Sequence, residues 1–325
     1  MKTYIIAEIG INHNGSLKTA KRLIDMAALS GCDAVKFQKR NPDVCVPEHQ
    51  KSVPRETPWG TMSYLDYKYR MEFGKEEYDI IDEYCKMKEI AWSASPWDMD
   101  SLDFLVQYDI PFIKMPSAML THEELMRACA RTGKKVFSTG MSTLEEIDKT
   151  VEWLREEDCE FALLHCNSTY PAPLEELNLQ CIKTLRDRYD CEVGYSGHEF
   201  RLGTTVSSVY LGATIVERHI TLDRTMWGSD HLASLEPQGL IKLVKGIREL
   251  ELALGERARL VYIDVFQHHR AIEKFPDWVI NDCRKSHPDS FRKFVNSAVA
   301  DSNIVYSNLD YFKQYEGAKV LFVAG

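Results

Sequence analysis

Residues 4–12, YIIAEIGIN, are a short apolar run that ends in polar side chains, and the pattern recurs seven more times before residue 221. The other runs are DAVKFQK (33–39), IAWSAS (90–95), FIKMPS (112–117), KVFSTG (135–140), FALLHCNS (161–168), EVGYSGH (192–198) and TIVERHI (214–220). A segment of helical periodicity follows nearly every run. Strands and helices that alternate eight times indicate a parallel sheet, and right-handed crossovers close eight such units into a barrel. The sequence predicts an α/β fold, a TIM (β/α)8 barrel, with a doubly wound open sheet as the alternative.

The polar ends of the runs indicate where function lies. Strands bury apolar residues in a core. Polar residues that recur at one end of each strand are therefore expected to surround a common site. In a closed parallel barrel that end forms one rim, where barrel enzymes carry their active sites.

The sequence predicts where several helices begin and end. Ser16 and Gly31 suit the start and end of a helix over residues 17–30. Thr121 with Glu124, and Ser142 with Glu145, have the spacing of capping boxes.

The connection over residues 40–73 is much longer than the others. Long connections in compact domains are usually functional or disordered. Its prolines, Trp59 and further aromatic residues predict an ordered flap over the rim, and a surface insertion that covers a barrel edge is the alternative.

Composition narrows the class of protein. The chain has 325 residues and 44% hydrophobic content. Its net charge of -9 and pI near 5.6 argue against a nucleic-acid binder, because such proteins bind phosphates through basic patches. No apolar run is long enough to span a bilayer or to serve as a signal peptide, so we expect no membrane partner and a cytoplasmic protein. Nine cysteines without a CxxC pair are expected to be reduced thiols.

Two lysines in apolar runs suggest an anion site. If they are buried, the ammonium groups of Lys36 and Lys114 must form ion pairs, lose their protons or bind an anion, because burying an unpaired ammonium is costly. Hydroxyls and the turn at Gly140 could complete a site for a small phosphorylated anion; the candidate hydroxyls are those of Ser95, Ser117, Ser138 and Ser196. Each serine could equally be a turn or cap residue.

Two histidines end consecutive runs. If His219 points into the barrel, alternation turns Arg218 away, and His198 could lie beside His219. Two neutral imidazoles with open positions suit a divalent metal, although hydrogen-bonded structural histidines are the alternative. Glu8 is a candidate acid or base, and it could instead simply pair with Lys36.

Ten segments of the chain, in this order, resemble the sialic acid (nonulosonate) synthase family. They are AEIGINHNG, AVKFQ, TPWGTMSYLDYKYRMEFG, SASPWD, IKMPSA, STGMSTLEEI, LLHCNSTYPAP, GYSGHE, IVERHITLDRTMWGSDH and SLEPQGL. The resemblance covers residues 1 to about 262 and implies a TIM barrel. In the family a small antifreeze-like domain follows, and it completes the partner's acceptor site in a dimer, so a homodimer is expected.

The resemblance also implies a reaction and its residues. The reaction condenses phosphoenolpyruvate, an N-acylated amino sugar and water into a nine-carbon 2-keto sugar acid and phosphate. Glu8, Lys36 and Lys114 would be catalytic, and a divalent metal, manganese or else magnesium or cobalt, would bind His198 and His219. Phosphoenolpyruvate would contact Lys36, Ser95, Lys114, Ser117, Ser138, Ser168 and Ser196, and the acceptor sugar would contact Gln38, Asn167, Tyr170 and Asp230.

Two alternatives to this reaction remain: condensation on a different aldose, and an inactive barrel that binds sugar. A phosphorylated acceptor would need a second anion cluster, which the sequence does not reveal, so N-acetylmannosamine or a 6-deoxy diacetamido hexose is preferred.

Residues 263–325 do not match the antifreeze-like domain. We predict a synthase domain over residues 1–262 and a C-terminal extension over residues 263–325. Its last run, AKVLFVAG, resembles the opening strand of a further domain in a longer protein, and an ordinary terminal element is the alternative. Arg270, Arg284 and Arg292 could replace the arginine that the family's last domain supplies.

Overall fold

The structure, a computed structural model, describes residues 2–133 and 135–254. Ten strands and eleven helices occur in these ranges. The strands are β1 Tyr4–Gly10, β2 Ala34–Lys39, β3 Pro54–Thr57, β4 Gly60–Ser63, β5 Ala91–Pro96, β6 Ile113–Met115, β7 Lys135–Ser138, β8 Phe161–Cys166, β9 Glu192–Gly197 and β10 Ile215–His219. The helices are α1 Leu17–Ser30, α2 Pro42–Cys45, α3 Glu48–Lys51, α4 Tyr64–Met71, α5 Lys75–Met87, α6 Met99–Leu105, α7 Glu123–Ala130, α8 Leu144–Glu156, α9 Cys181–Tyr189, α10 Gly203–Tyr210 and α11 Pro237–Leu254.

Eight strands form one sheet in the order β5-β2-β1-β10-β9-β8-β7-β6, and the paired neighbours are parallel. The Ser93 hydroxyl of β5 donates to the Phe112 carbonyl just before β6, which joins the two ends of this order. The predicted TIM barrel is confirmed, and all eight predicted runs contain its strands.

Alternation along the strands separates two apolar regions. Ile6, Ala34, Leu164 and Ile215 pack together inside the barrel with other small and apolar side chains. Their neighbours on the outer face of the sheet, such as Val35, pack beneath the helices. Because successive side chains point to opposite faces, a residue two positions after an interior one is also interior.

The helix caps agree with the sequence in part. Ser16 caps α1 by accepting from the Thr19 amide, and Gly31 ends it at φ 83°, where a side chain would be strained. Both predicted capping boxes are wrong. His122 caps α7, and the box of α8 is formed by Thr143 and Glu146, one residue later than predicted. A one-residue shift is easily missed because adjacent Ser and Thr satisfy the same pattern.

Residues 40–73 are ordered, and they contain α2, α3, the β3–β4 hairpin and α4. The segment packs against the loops after β1 and β10. The backbone of Arg70 lies against Gly15, and the Tyr67 ring lies 5.3 Å from that of Trp227. Both loops follow the carboxyl ends of barrel strands, so the segment lies at the rim, as predicted.

Within the described ranges, no helix is long and apolar enough to cross a membrane. The domain boundary at residue 262, the run AKVLFVAG and the three arginines of the extension lie outside the described residues.

Candidate active site

Four charged side chains lie inside the barrel, one layer above its apolar interior. Glu8 follows Ile6 by two residues in β1, and Glu217 follows Ile215 by two in β10. The ammonium of Lys36 lies 2.7 Å from Glu8 Oε2 and 3.9 Å from Glu217 Oε2. That of Lys114 lies 3.2 Å from Glu217 Oε1. The structure therefore brings both predicted lysines and Glu8 together in a tetrad of two cations and two carboxylates, all of them buried.

Glu217 and Lys114 stay charged despite their burial. Burial alone would raise the pKa of Glu217, but the charges of Lys114 and Lys36 lower it to about 2. Burial alone would lower the pKa of Lys114, but the neighbouring Glu217 raises it above its usual value. An ammonium thus persists at a depth where an isolated lysine would lose its proton.

The predicted serines lie at several points around this tetrad. The Lys36 ammonium donates to Ser95 Oγ over 2.8 Å, and Ser196 Oγ donates to Glu217 Oε1 over 3.1 Å. Ser117 Oγ lies 3.4 Å from Cys166 Sγ, and Ser168 Oγ lies 3.9 Å from the same sulfur. Ser138 is the last residue of β7.

Gly140 allows close packing around Ser117 and Ser168. A Cβ added at Gly140 would lie 2.5 Å from Ser168 Oγ, 2.6 Å from Cys166 Sγ and 2.9 Å from Ser117 Oγ. Such distances are far below van der Waals contact, so only glycine lets the backbone approach these polar atoms. Ser117, Ser168 and the Gly140 turn therefore form one polar wall.

The two histidines that end β9 and β10 are neighbours. Their ring centroids lie 5.3 Å apart, and both rings are buried. Burial, aided by His219, lowers the pKa of His198 to about 3, so this imidazole is neutral. Arg218, between the inward Glu217 and His219, points outward and pairs with Glu199 at 3.1 Å, as alternation predicts.

The histidine nitrogens suit a metal. The carbonyl of Asn167 lies 2.5 Å from His198 Nδ1 and requires a proton there, which leaves Nε2 unprotonated, able to accept from the Tyr170 hydroxyl 2.9 Å away or to bind a metal. His219 Nδ1 is buried and makes no hydrogen bond within the described part of the chain. Neither range contains a group of three or more His, Cys, Asp or Glu side chains arranged to hold a metal. A divalent ion bound here would have the two histidine nitrogens as ligands and further positions open.

The residues predicted to hold the acceptor differ in their placement. Tyr170 stacks on His198 at 4.0 Å and its hydroxyl lies 2.9 Å from Nε2. Asp230 Oδ2 lies 3.8 Å from His219 Nδ1, and Gln38 Nε2 donates to Glu8 Oε1 over 3.1 Å. The side chain of Asn167 instead lies against Glu176, and only its backbone carbonyl reaches the site.

Residues 23–259 match the NeuB family. The chain belongs to the NeuB family. Membership confirms the predicted resemblance, and residues 255–259 of the match lie outside the described part.

Several relatives of this NeuB-family protein are synthases. It is 38% identical over 261 residues to the N,N'-diacetyllegionaminic acid synthase of Campylobacter jejuni, covering 78% of each chain. It is 40% identical over 257 residues to the N-acetylneuraminate-9-phosphate synthase of Drosophila melanogaster, covering 77% of this chain and 68% of that one. The structure of a Leptospira borgpetersenii N-acetylneuraminic acid synthetase in complex with citrate superposes with a TM-score of 0.74 at 30% identity, covering 85% and 94% of the two chains. The predicted enzyme class, a synthase of this family, is confirmed.

Glu217 lies in the eighth run, but it was not predicted as a site residue. The available signal was its spacing of two from His219, which places both side chains on the inner face. Only closure of the barrel brings Glu217 to Lys114 of β6.

Proposed function

We propose that this NeuB-family protein condenses phosphoenolpyruvate, an N-acylated amino sugar and water into a nine-carbon 2-keto sugar acid and phosphate. The observation that carries the proposal is the pair of charged lysines buried beside two neighbouring histidines at one rim. Relatives of the chain are synthases of legionaminic acid and of N-acetylneuraminate-9-phosphate, which supports the same class of product. The Leptospira relative was solved with citrate, a small polyanion.

The donor site lies around the lysines. Lys36 and Lys114 would offset the charges of the phosphate and carboxylate of phosphoenolpyruvate, since an ammonium is a compact point charge. Hydroxyls of Ser95, Ser117, Ser168 and Ser196 lie around the same space and would donate to the anion, and we propose the same role for Ser138. Because Glu8 and Glu217 already balance the lysines, the bound anion competes with these carboxylates for the ammonium groups.

The acceptor site lies at the histidines. A divalent ion, manganese or else magnesium or cobalt, held by His198 and His219 would supply Lewis-acid polarisation of the acceptor aldehyde. Tyr170, Gln38 and Asp230 would hold the open-chain sugar, with Asn167 contributing through its carbonyl to the orientation of His198. This orientation fixes the His198 tautomer.

The reaction balances with these groups. C3 of phosphoenolpyruvate forms a bond to the aldehyde carbon, whose oxygen gains a proton and becomes a hydroxyl. Water adds at C2, and the proton that it loses passes through Glu8 to the new alkoxide. The C2–O bond to phosphate then breaks, and the C2 hydroxyl gives its proton to the departing phosphate, which leaves a 2-keto acid and inorganic phosphate. Positioning of the two substrates side by side would account for much of the acceleration.

The test is release of inorganic phosphate from phosphoenolpyruvate with N-acetylmannosamine, its 6-phosphate and 6-deoxy diacetamido hexoses, each with manganese. Turnover with any acceptor supports the proposal. Absence of turnover with all of them rejects it in favour of an inactive sugar-binding barrel, and turnover only with simple aldoses favours a different condensation.

The metal role has its own test. His198→Ala and His219→Ala should each abolish turnover, as should a chelator, while His49→Ala, an exposed histidine on α3, should not. Activity that survives either site substitution or the chelator rejects the metal. We also propose a homodimer, which sedimentation of the full chain would test.

A further inference from the structure

Arg218 and Glu199 form a buried ion pair on the outer face of the barrel, next to the histidine pair. Nη1 of Arg218 lies 3.1 Å from Glu199 Oε1, and the two side chains are 1% and 0% exposed. Neither side chain has a role in the proposed reaction. Arg218 directly precedes His219 in β10, and Glu199 directly follows His198. The ion pair therefore connects the residue after one histidine to the residue before the other.

The pairing of β9 with β10 ends one residue before His198. The last paired residues are Gly197 and Arg218, and β9 itself ends at Gly197. His198 thus lies beyond the paired residues, where the hydrogen bonds of the sheet no longer set its distance from β10. The guanidinium spans this gap, because Nη2 of Arg218 donates to the backbone carbonyl of Glu199.

Hydrogen bonds from a strand and a helix fix the Glu199 carboxylate. Its Oε2 accepts from the Tyr195 hydroxyl over 3.0 Å, and its Oε1 accepts from Thr204 over 2.6 Å and from Thr205 over 2.9 Å. The Arg218 guanidinium also donates to Thr205, over 2.6 Å. Tyr195 lies in β9 and both threonines lie in the first turn of α10, so the ion pair is held between these two elements.

Stability is a weak explanation for this ion pair. Desolvation of two buried charges offsets most of their attraction, and apolar replacements of similar size are often neutral or stabilising. A buried hydrogen-bond network instead restricts the chain to one geometry. The packing leaves little room for another: a Cβ added at Gly197 would lie 2.7 Å from Glu199 Oε2 and 3.1 Å from Arg218 Cδ.

We propose that Arg218 and Glu199 are positioning residues that hold His198 and His219 at the spacing at which both imidazoles can bind one divalent ion. The ring centroids of the two histidines lie 5.3 Å apart. Without the ion pair, His198 would keep its hydrogen bond to Asn167 but would lose its connection to β10. This inference rests on the proposed metal role and names the residues that support it.

The visible absorption of bound cobalt(II) measures metal binding without turnover. Arg218→Gln and Glu199→Gln should each weaken cobalt binding by roughly 10- to 100-fold, the usual cost of removing a group that orients metal ligands. Arg218→Lys keeps the charge but loses the planar fork, so its affinity should lie between those of wild type and Arg218→Gln. Any turnover lost in Arg218→Gln should recover at higher metal concentration.

Arg248→Gln is the matched control. It breaks the ion pair with Asp33 at 2.9 Å, and Asp33 precedes β2, so this pair lies at the end of the barrel opposite the histidines. Cobalt binding should be unchanged in this variant. A loss of cobalt affinity in Arg248→Gln as large as that in Arg218→Gln would overturn the positioning role, because any broken ion pair would then have the same effect.

A double variant separates positioning from folding. Glu199→Leu combined with Arg218→Met removes both charges together, so it should fold, and circular dichroism and urea denaturation check that it does. This variant should still bind cobalt at least about 10-fold more weakly than wild type. Wild-type cobalt affinity in the folded double variant would overturn the proposal.

Nuclear magnetic resonance of the metal-free chain distinguishes failure of this inference from failure of the metal role. A nuclear Overhauser contact between the rings of His198 and His219 should be present in wild type and weaker in Arg218→Gln. If this result is obtained and the wild-type chain binds no cobalt, the positioning role stands and only the metal role fails. An Overhauser contact that is equal in both proteins overturns the positioning role and leaves the metal role intact.

Discussion

At the scale of single residues, Glu217 connects the two halves of the candidate site. It accepts from Ser196, pairs with Lys114 at 3.2 Å and lies 3.9 Å from Lys36. A carboxylate shared by two buried ammonium groups holds both near the reacting space. Its removal leaves two buried cations with Glu8 as their remaining carboxylate in the tetrad.

Glu217→Gln should lower the free energy of unfolding by about 3 kcal/mol, because breaking one side of a buried ion pair leaves uncompensated charge. Urea denaturation measures the change. Glu124→Gln, at an exposed glutamate of α7, is the control and should alter stability by less than about 0.5 kcal/mol. Equal effects of the two substitutions would show that the tetrad contributes nothing to stability.

Gly140→Ala tests the polar wall of Ser117 and Ser168. The new methyl group would lie 2.5 Å from Ser168 Oγ, so the hydroxyls must move. We expect the KM for phosphoenolpyruvate to rise at least about 10-fold, since displacement by about 1 Å can cost 100-fold in activity. Gly203→Ala is the control, because its Cβ would meet nothing within 4 Å. An unchanged KM in Gly140→Ala would remove this wall from the donor site.

At the scale of elements, the eight barrel strands and the two ends of α1 were predictable, whereas the caps of α7 and α8 were not. Period-two alternation and turn residues mark each strand locally, whereas Ser142 and Thr143 are adjacent and both can cap a helix. The hairpin of β3 and β4 was missed for another reason. Its strands are only four residues long and mostly exposed, so they carry no apolar alternation.

The helix start of α8 gives a direct test of the shifted cap. Thr143 accepts from the Glu146 amide over 3.3 Å, and Thr143→Ala should destabilise the protein by about 1 kcal/mol. Ser142→Ala should change the free energy of unfolding by less than about 0.5 kcal/mol. Thermal and chemical unfolding of both variants measure this. A larger loss of stability in Ser142→Ala than in Thr143→Ala would place the cap at Ser142, as the sequence predicts.

At the scale of the whole molecule, α11 is attached to the beginning of the chain. Glu251 accepts from the Thr3 amide over 2.5 Å, and Arg248 donates to the Thr3 carbonyl over 2.8 Å and pairs with Asp33 at 2.9 Å. The last described helix thereby packs against the first two strands. Burial alone would raise the pKa of Glu251, but hydrogen bonds from Thr3 and Arg248 lower it below its usual value.

This linkage predicts a pH dependence of stability. A carboxyl whose pKa is lower in the folded state stabilises it above the unfolded pKa, near 4.3 for glutamate, and this contribution is lost as pH falls through the folded pKa. The difference in free energy of unfolding between wild type and Glu251→Gln should therefore be largest at neutral pH and shrink below about pH 4. Denaturation at several pH values measures it. A difference that is constant with pH would mean that the charge of Glu251 does not contribute.

The amino-acid sequence by itself determined the eight strands, the side chains that face inward, and the family. Alternation is local, since Glu8, Lys36, Lys114, Glu217 and His219 face inward by their position in their own strands. Only the tertiary structure decided which of these side chains meet. Closure of the sheet brings Lys114 of β6 to Glu217 of β10, and packing of the 40–73 segment on the rim brings Arg55 beside Trp227. Such contacts join residues far apart in the chain, and no local periodicity encodes them.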